Sequence, residues 1–136
     1  MGRSLLGTAG MAGHPTKIGK YEVAGVIGRG GMGVVYKAVD PQIGRFVAIK
    51  MITAGFSGDQ DLLKRFYREA RSTGSLQNPN IVTVFDLGEQ DGNPYLVMEY
   101  LEGTSLESIL STHRPLNLIA KLRIILDVCH GLSYAH

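Results

Sequence analysis

Gly28, Gly30 and Gly33, with Gly31 between them, interrupt a stretch that otherwise favours β-structure. Before them Tyr21, Val23 and Ile27 alternate with Glu22 and Ala24, and Val34, Val35, Tyr36 and Val39 follow at once. A Gly-x-Gly-x-x-Gly run has two structural meanings. In a dinucleotide-binding fold it closes a strand and opens a helix that holds a pyrophosphate, with an acidic ribose ligand about 20 residues further on. Here β-formers follow Gly33, and Lys50 stands near the place of the acid. The dinucleotide reading fails on this context. What remains is a hairpin tipped with glycine, whose backbone N–H groups can lie against phosphate oxygens. An ordinary hairpin turn uses the same residues, and the glycines alone do not decide between the two.

The rest of the chain supplies the frame. Asp40, Pro41 and Gly44 make a turn, and residues 45–53 read as a third strand. Asp59 suits the N-cap of a helix running to about residue 75. At about 100° per residue, Leu62, Leu63, Phe66, Ala70 and Thr73 share one arc of it. Lys64, Arg65, Arg68 and Arg71 fall opposite, either as a solvated face or as a dock for an acidic segment. After the break at Asn78, Pro79 and Asn80, residues 81–87 and 95–101 read as strands around a polar turn. Thr104 and Glu107 form a capping box for a short helix to about residue 112. Pro115 and Asn117 introduce a longer helix carrying Leu118, Leu122, Ile125, Cys129 and Leu132 at helical spacing. Residues 1–17, rich in glycine and without periodicity, read as a flexible tail.

Two ions sit where apolar residues are expected. Lys50 ends the run Val47, Ala48, Ile49, and Glu69 lies on the apolar arc of the first helix. A single strand lysine usually points to solvent. Two misfits of opposite sign are explained by each other, because an inward carboxylate needs a cationic partner or hydrogen bonds. A Lys50–Glu69 pair would hold the ammonium at the mouth of the glycine loop, as a point charge for phosphates.

Composition excludes other classes. Of 136 residues 44% are apolar and 19% charged, the balance of a globular chain. The single Cys129 rules out a disulfide framework, and His14, His113, His130 and His136 are scattered, so no metal site is expected. A net charge of +2 does not imply nucleic acid. Its distribution is uneven: 11 Lys+Arg face 5 Asp+Glu in residues 1–71, against 3 and 7 in residues 72–136. That split suits either an anionic ligand held by the first half or simple surface asymmetry. No apolar run approaches the ~18 residues of a membrane span. There is no signal-like core, and Leu6 stands where a myristoylation motif needs Ser or Thr. The default expectation is cytoplasmic.

With these residues in place, the sequence resembles the amino-terminal lobe of a bacterial-type serine/threonine protein kinase. The likeness is carried by Ile27, Gly28, Arg29, Gly30, Gly31, Met32, Gly33, Val34 and Val35. It continues through Val47, Ala48, Ile49 and Lys50, then Glu69, then Val97, Met98, Glu99, Tyr100 and Leu101. It spans about residues 18–136. It implies an α+β fold: an N-lobe of five antiparallel strands and one helix over residues 18–102, then the first two C-lobe helices over 103–136.

The resemblance implies ATP as ligand. Gly28, Gly30 and Gly33 would cover its phosphates, with Arg29, Gly31, Met32 and Val34 as the ATP-binding residues between and beside them, and Lys50 on the α- and β-phosphates and paired to Glu69. Ile27, Val35, Ala48 and Leu101 would sandwich the adenine, with Met98 behind it. The Glu99 carbonyl and Leu101 amide would bind its edge, and Ser105 would lie near the ribose. Mg²⁺ is expected for the family, yet the H-R-D-x-x-x-x-N and D-F-G segments that supply the base and the metal ligand do not occur in the chain. The expectation is therefore the ATP-binding half of a kinase, inactive alone, truncated before the catalytic loop. The alternative is a non-catalytic nucleotide-binding or interaction module. A protein substrate is implied for a complete domain, and the apolar C-terminal helix would favour self-association.

Overall fold

A computed structural model describes residues 13–31, 33–53 and 59–136. Six strands form one antiparallel sheet: β1 (Lys17–Ile18), β2 (Tyr21–Gly30), β3 (Gly33–Asp40), β4 (Arg45–Ile52), β5 (Val84–Gln90) and β6 (Asn93–Glu99). Helix α1 (Gln60–Gly74) connects β4 to β5, and α2 (Leu106–Ser111) and α3 (Leu118–Ala135) follow the sheet. The strand order is β1-β2-β3-β4-β6-β5, so the β5–β6 hairpin folds back with β6 against β4.

Turn chemistry sets the register. Gln90 pairs with Asn93 across Asp91 and Gly92, both at positive φ (53° and 77°), the two-residue turn that matches strand twist. Between β3 and β4 the Asp40 carboxylate accepts from the Gln42 amide at 2.9 Å, and the Asp40 carbonyl accepts from Gly44 N at 2.8 Å. Two register shifts in β2, at Val23/Gly25 and Val26/Gly28, twist the ribbon beneath the glycine loop.

Strand alternation divides the sheet into two faces. One buries Ile18, Tyr21, Tyr36, Ala38, Val47, Ile49, Met51, Tyr95 and Val97 as the core. The sheet curls until its outer strands meet through side chains. The Gln90 side chain accepts from Gly19 N at 2.8 Å and donates to the Lys17 carbonyl at 3.0 Å. Tyr21 Oη donates to Asp86 at 3.2 Å. Burial, reinforced by the Asp86 charge, pushes the Tyr21 phenol up to about 12.

Three expectations change. The sheet has six strands and not five, because Lys17 and Ile18 pair with Glu22 and Tyr21. The end of the expected tail is therefore structured: Thr16 accepts from Val23 N at 2.9 Å, and Ile18 is fully buried. Residues 1–12 of that tail lie outside the described residues. Thirdly, α2 is capped by Ser105, whose hydroxyl accepts from Ser108 N at 3.1 Å, and not by Thr104. Asn117 caps α3 as expected, accepting from Ala120 N at 2.8 Å.

Candidate functional site

The second face of the sheet carries the candidate site. Register places Gly28 opposite Val35, Val35 opposite Lys50, Lys50 opposite Leu96, and Leu96 opposite Leu87, in one row across five strands. Ala48 pairs with Met98 in the neighbouring row. Val35, Ala48, Lys50 and Met98 thus share a face because they alternate with core residues, and Val97 and Ile49 point the other way.

Two cavities lie along β2 on this side. One, of about 350 Å³, is lined by residues 28–31 together with Gly33, Val35 and Lys50. The other, of about 620 Å³, is bounded by Ile27, Leu101 and Ser105, with Glu102, Gly103, Thr104 and Ser108. Ile27 of the larger cavity and Gly28 of the smaller are neighbours on β2, and the smaller one sets Lys50 among glycines. Met32 lies outside the described residues, and Val34 packs against the core.

The glycines separate by role. A Cβ at Gly33 would overlap the carbonyl oxygen of Met51, so Gly33 allows β3 to close on β4. At Gly28, Gly30 and Gly31 a Cβ would meet nothing within 4 Å, and none of the three has a positive φ. Neither packing nor backbone geometry requires glycine there. Residues of that kind leave room above the backbone.

Lys50 and Glu69 are not brought together. The ion pair resolved among the described residues joins Lys20 and Asp40, at 3.8 Å. Glu69 is exposed. The physical reason is the setting of α1. Ala70 is the residue turned into the sheet, 5% exposed, in a groove with Val84, Phe85 and Leu87 of β5. Tyr67 Oη adds a hydrogen bond to Glu89 at 3.3 Å. Helix α1 therefore leans on β5, at the far end of the row from the glycines, and its solvated carboxylate needs no partner. The inward Glu69 expected from the helical arc is corrected by this packing.

Beyond the expected residues, the cavity at Leu101 draws in Glu102, Gly103, Thr104 and Ser108. A glycine between a strand and a helix was the available signal, and Gly103 does adopt φ +138°. Lys37 was also missed. It lies on the site face beside Ala48, and its ammonium sits 4.2 Å from the Phe46 ring centroid and 4.5 Å from that of Tyr100. No three His, Cys, Asp or Glu side chains converge among the described residues. They offer no fitted Mg²⁺ site of their own.

Comparison with known proteins bears on the family and the fold. The protein kinase domain family matches residues 21–136. The serine/threonine-protein kinase PrkC of Bacillus subtilis is 42% identical over 118 residues, covering 87% of this chain and 18% of PrkC. The serine/threonine-protein kinase PknH of Mycobacterium tuberculosis is also 42% identical over 118 residues, covering 87% of this chain and 19% of PknH. The crystal structure of the Mycobacterium tuberculosis PknI kinase domain superposes with a TM-score of 0.76 at 30% identity, over 88% of this chain and 49% of that one. The chain thus spans about a fifth of the curated relatives and half of the solved domain.

Proposed function

Since this chain belongs to the protein kinase family, we propose that it forms the ATP-binding half of a serine/threonine kinase domain. Gly28, Arg29, Gly30 and Gly31 cover the phosphates with backbone N–H groups, and Lys50 meets the α- and β-phosphates from the sheet below. The base enters between Ile27, Val35 and Ala48 on one side and Leu101 on the other, with Met98 behind it. The Glu99 carbonyl and Leu101 amide read its edge, and Ser105 lies toward the ribose. What carries this reading is the trio Gly28, Gly30 and Gly31, glycines without a positive φ and with open space where a side chain would be.

Phosphoryl transfer needs a bound nucleotide, charge neutralisation of its phosphates and a base for the acceptor hydroxyl. This chain's residues supply the first. Mg²⁺, expected for the family, would supply the charge neutralisation in a complete domain. The unpaired setting of Lys50 and Glu69 favours binding without turnover by this polypeptide, the behaviour of a nucleotide-binding module. A protein substrate would belong to a complete kinase domain.

Calorimetric titration with ATP tests the proposal. Wild-type chain binds ATP, and Lys50→Ala loses about tenfold or more in affinity, the scale of a charge-assisted contact. Incubation with ATP, Mg²⁺ and a generic basic protein gives no γ-phosphate transfer. Wild-type chain that ignores ATP overturns the binding site, and turnover that vanishes with Lys50→Ala overturns the inactive reading.

A further inference from the structure

The geometry points to Lys37 as a positioning residue for the nucleotide base, acting through Tyr100. This rests on the proposed ATP site. Lys37 stands on β3 two residues after Val35 and directly opposite Ala48, the two side chains proposed as the roof of the base slot. Tyr100 stands between Glu99 and Leu101, whose backbone would read the base edge. The Lys37 ammonium links the two parts. It lies 4.2 Å from the Phe46 centroid and 4.5 Å from the Tyr100 centroid, and the two rings sit 6.1 Å apart, tilted by 53°.

A lysine on this face would ordinarily seek a carboxylate or water. Among the described residues the resolved ion pair is Lys20–Asp40, and Lys37 is held by two π-faces. That contact is directional: a cation is drawn to the ring face within about 6 Å of its centroid. Phe46 belongs to β4, whose backbone is fixed on both sides by β3 and β6. Tyr100 lies past the end of β6, where no ladder fixes it. The ammonium therefore ties the segment after β6 to the rigid β3–β4 pair and sets the gap between roof and edge. Lys37 acts on the base through the segment after β6 and needs no contact with the phosphates.

The test compares ATP with inorganic tripolyphosphate, by calorimetric titration of the 136-residue chain. Lys37→Met keeps the length and removes the charge. Its affinity for ATP falls by about five- to tenfold, the range of a partly desolvated cation–π contact, while tripolyphosphate binding stays within about twofold of wild type. Lys37→Arg restores ATP binding, since a guanidinium stacks on the same rings. Tyr100→Leu reproduces the loss, and adding it to Lys37→Met costs less than the sum of the two. Should Lys37→Met lower the unfolding temperature beyond use, the arginine and leucine variants carry the same comparison. Unchanged ATP affinity in Lys37→Met and Tyr100→Leu overturns the assignment. So does an equal loss of ATP and tripolyphosphate, which would make Lys37 a phosphate charge. A wild-type chain that binds tripolyphosphate but not ATP removes the base site and this inference together.

Discussion

Replacing Gly33 and Gly30 by alanine, one at a time, separates the two jobs of the glycine loop. At Gly33 the new methyl would overlap the Met51 carbonyl oxygen and lie 3.1 Å from the Ile52 Cα. Both obstacles are backbone, so relief requires β3 and β4 to part. Gly33 pairs with Ile52 and Val34 with Met51 at the end of that ladder. Loosening one or two ladder hydrogen bonds costs about 1 kcal/mol each, and overpacking adds about 1–3 kcal/mol. The reduced freedom of the unfolded chain returns about 0.5–1 kcal/mol. The net destabilisation is about 1–4.5 kcal/mol, a fall in unfolding midpoint of about 4–16 °C at roughly 3.5 °C per kcal/mol for a chain of this size. At Gly30 nothing lies within 4 Å of the added carbon, so Gly30→Ala unfolds at the wild-type temperature or slightly above it. It should nevertheless weaken ATP binding, because its methyl enters the space proposed for phosphate. Thermal unfolding by circular dichroism and ATP titration read both quantities. Gly33→Ala as stable as wild type, or Gly30→Ala binding ATP normally, would refute the reasoning.

Alkaline titration tests the Tyr21 contact. Its phenol is raised to about 12 in the folded chain from about 10 unfolded, so its stabilisation is complete below pH ~10 and is lost between ~10 and ~12. Wild type should lose stability across that window more steeply than Tyr21→Phe; parallel profiles would reject the assignment. Gln90→Ala removes two hydrogen bonds to β1 and should cost about 1–2 kcal/mol, read as a lower urea midpoint with faster amide exchange at Gly19. Helix α3 leaves Leu122, Ile125 and Leu132 exposed at 56%, 58% and 57%. The chain should therefore self-associate in sedimentation velocity, and Ile125→Glu should shift it toward monomer; identical profiles would assign the association elsewhere.

Much of the site face was legible because it depends on period-two alternation. Val35, Ala48, Lys50 and Met98 each alternate along their strand with core residues, and register then aligns them. Failures occurred where tertiary contacts decide. The helical arc of α1 groups Glu69 with Phe66 correctly, but a wheel does not say which part of the arc meets the sheet; Ala70 on β5 settles it. Thr104 and Glu107 match a capping box, while Ser105 has only another serine three residues on, so side-chain pattern favoured the wrong cap. Strand β1 is two residues long, too short for periodicity to register. Lys37 shows no sequence signal at all, because Tyr100 reaches it only after β6 inserts beside β4.

The side chain of Gln90 has a consequence for how this lobe is assembled. It joins partners 71 and 73 residues away in the chain, enclosing every strand between them and α1 in a single loop. Contacts that distant come late, after local hairpins have reduced the effective length of chain to be closed. On a ribosome, β1 emerges first yet waits for β5 before its last backbone groups find their partners. The earliest-synthesised strand is thus among the latest to be secured.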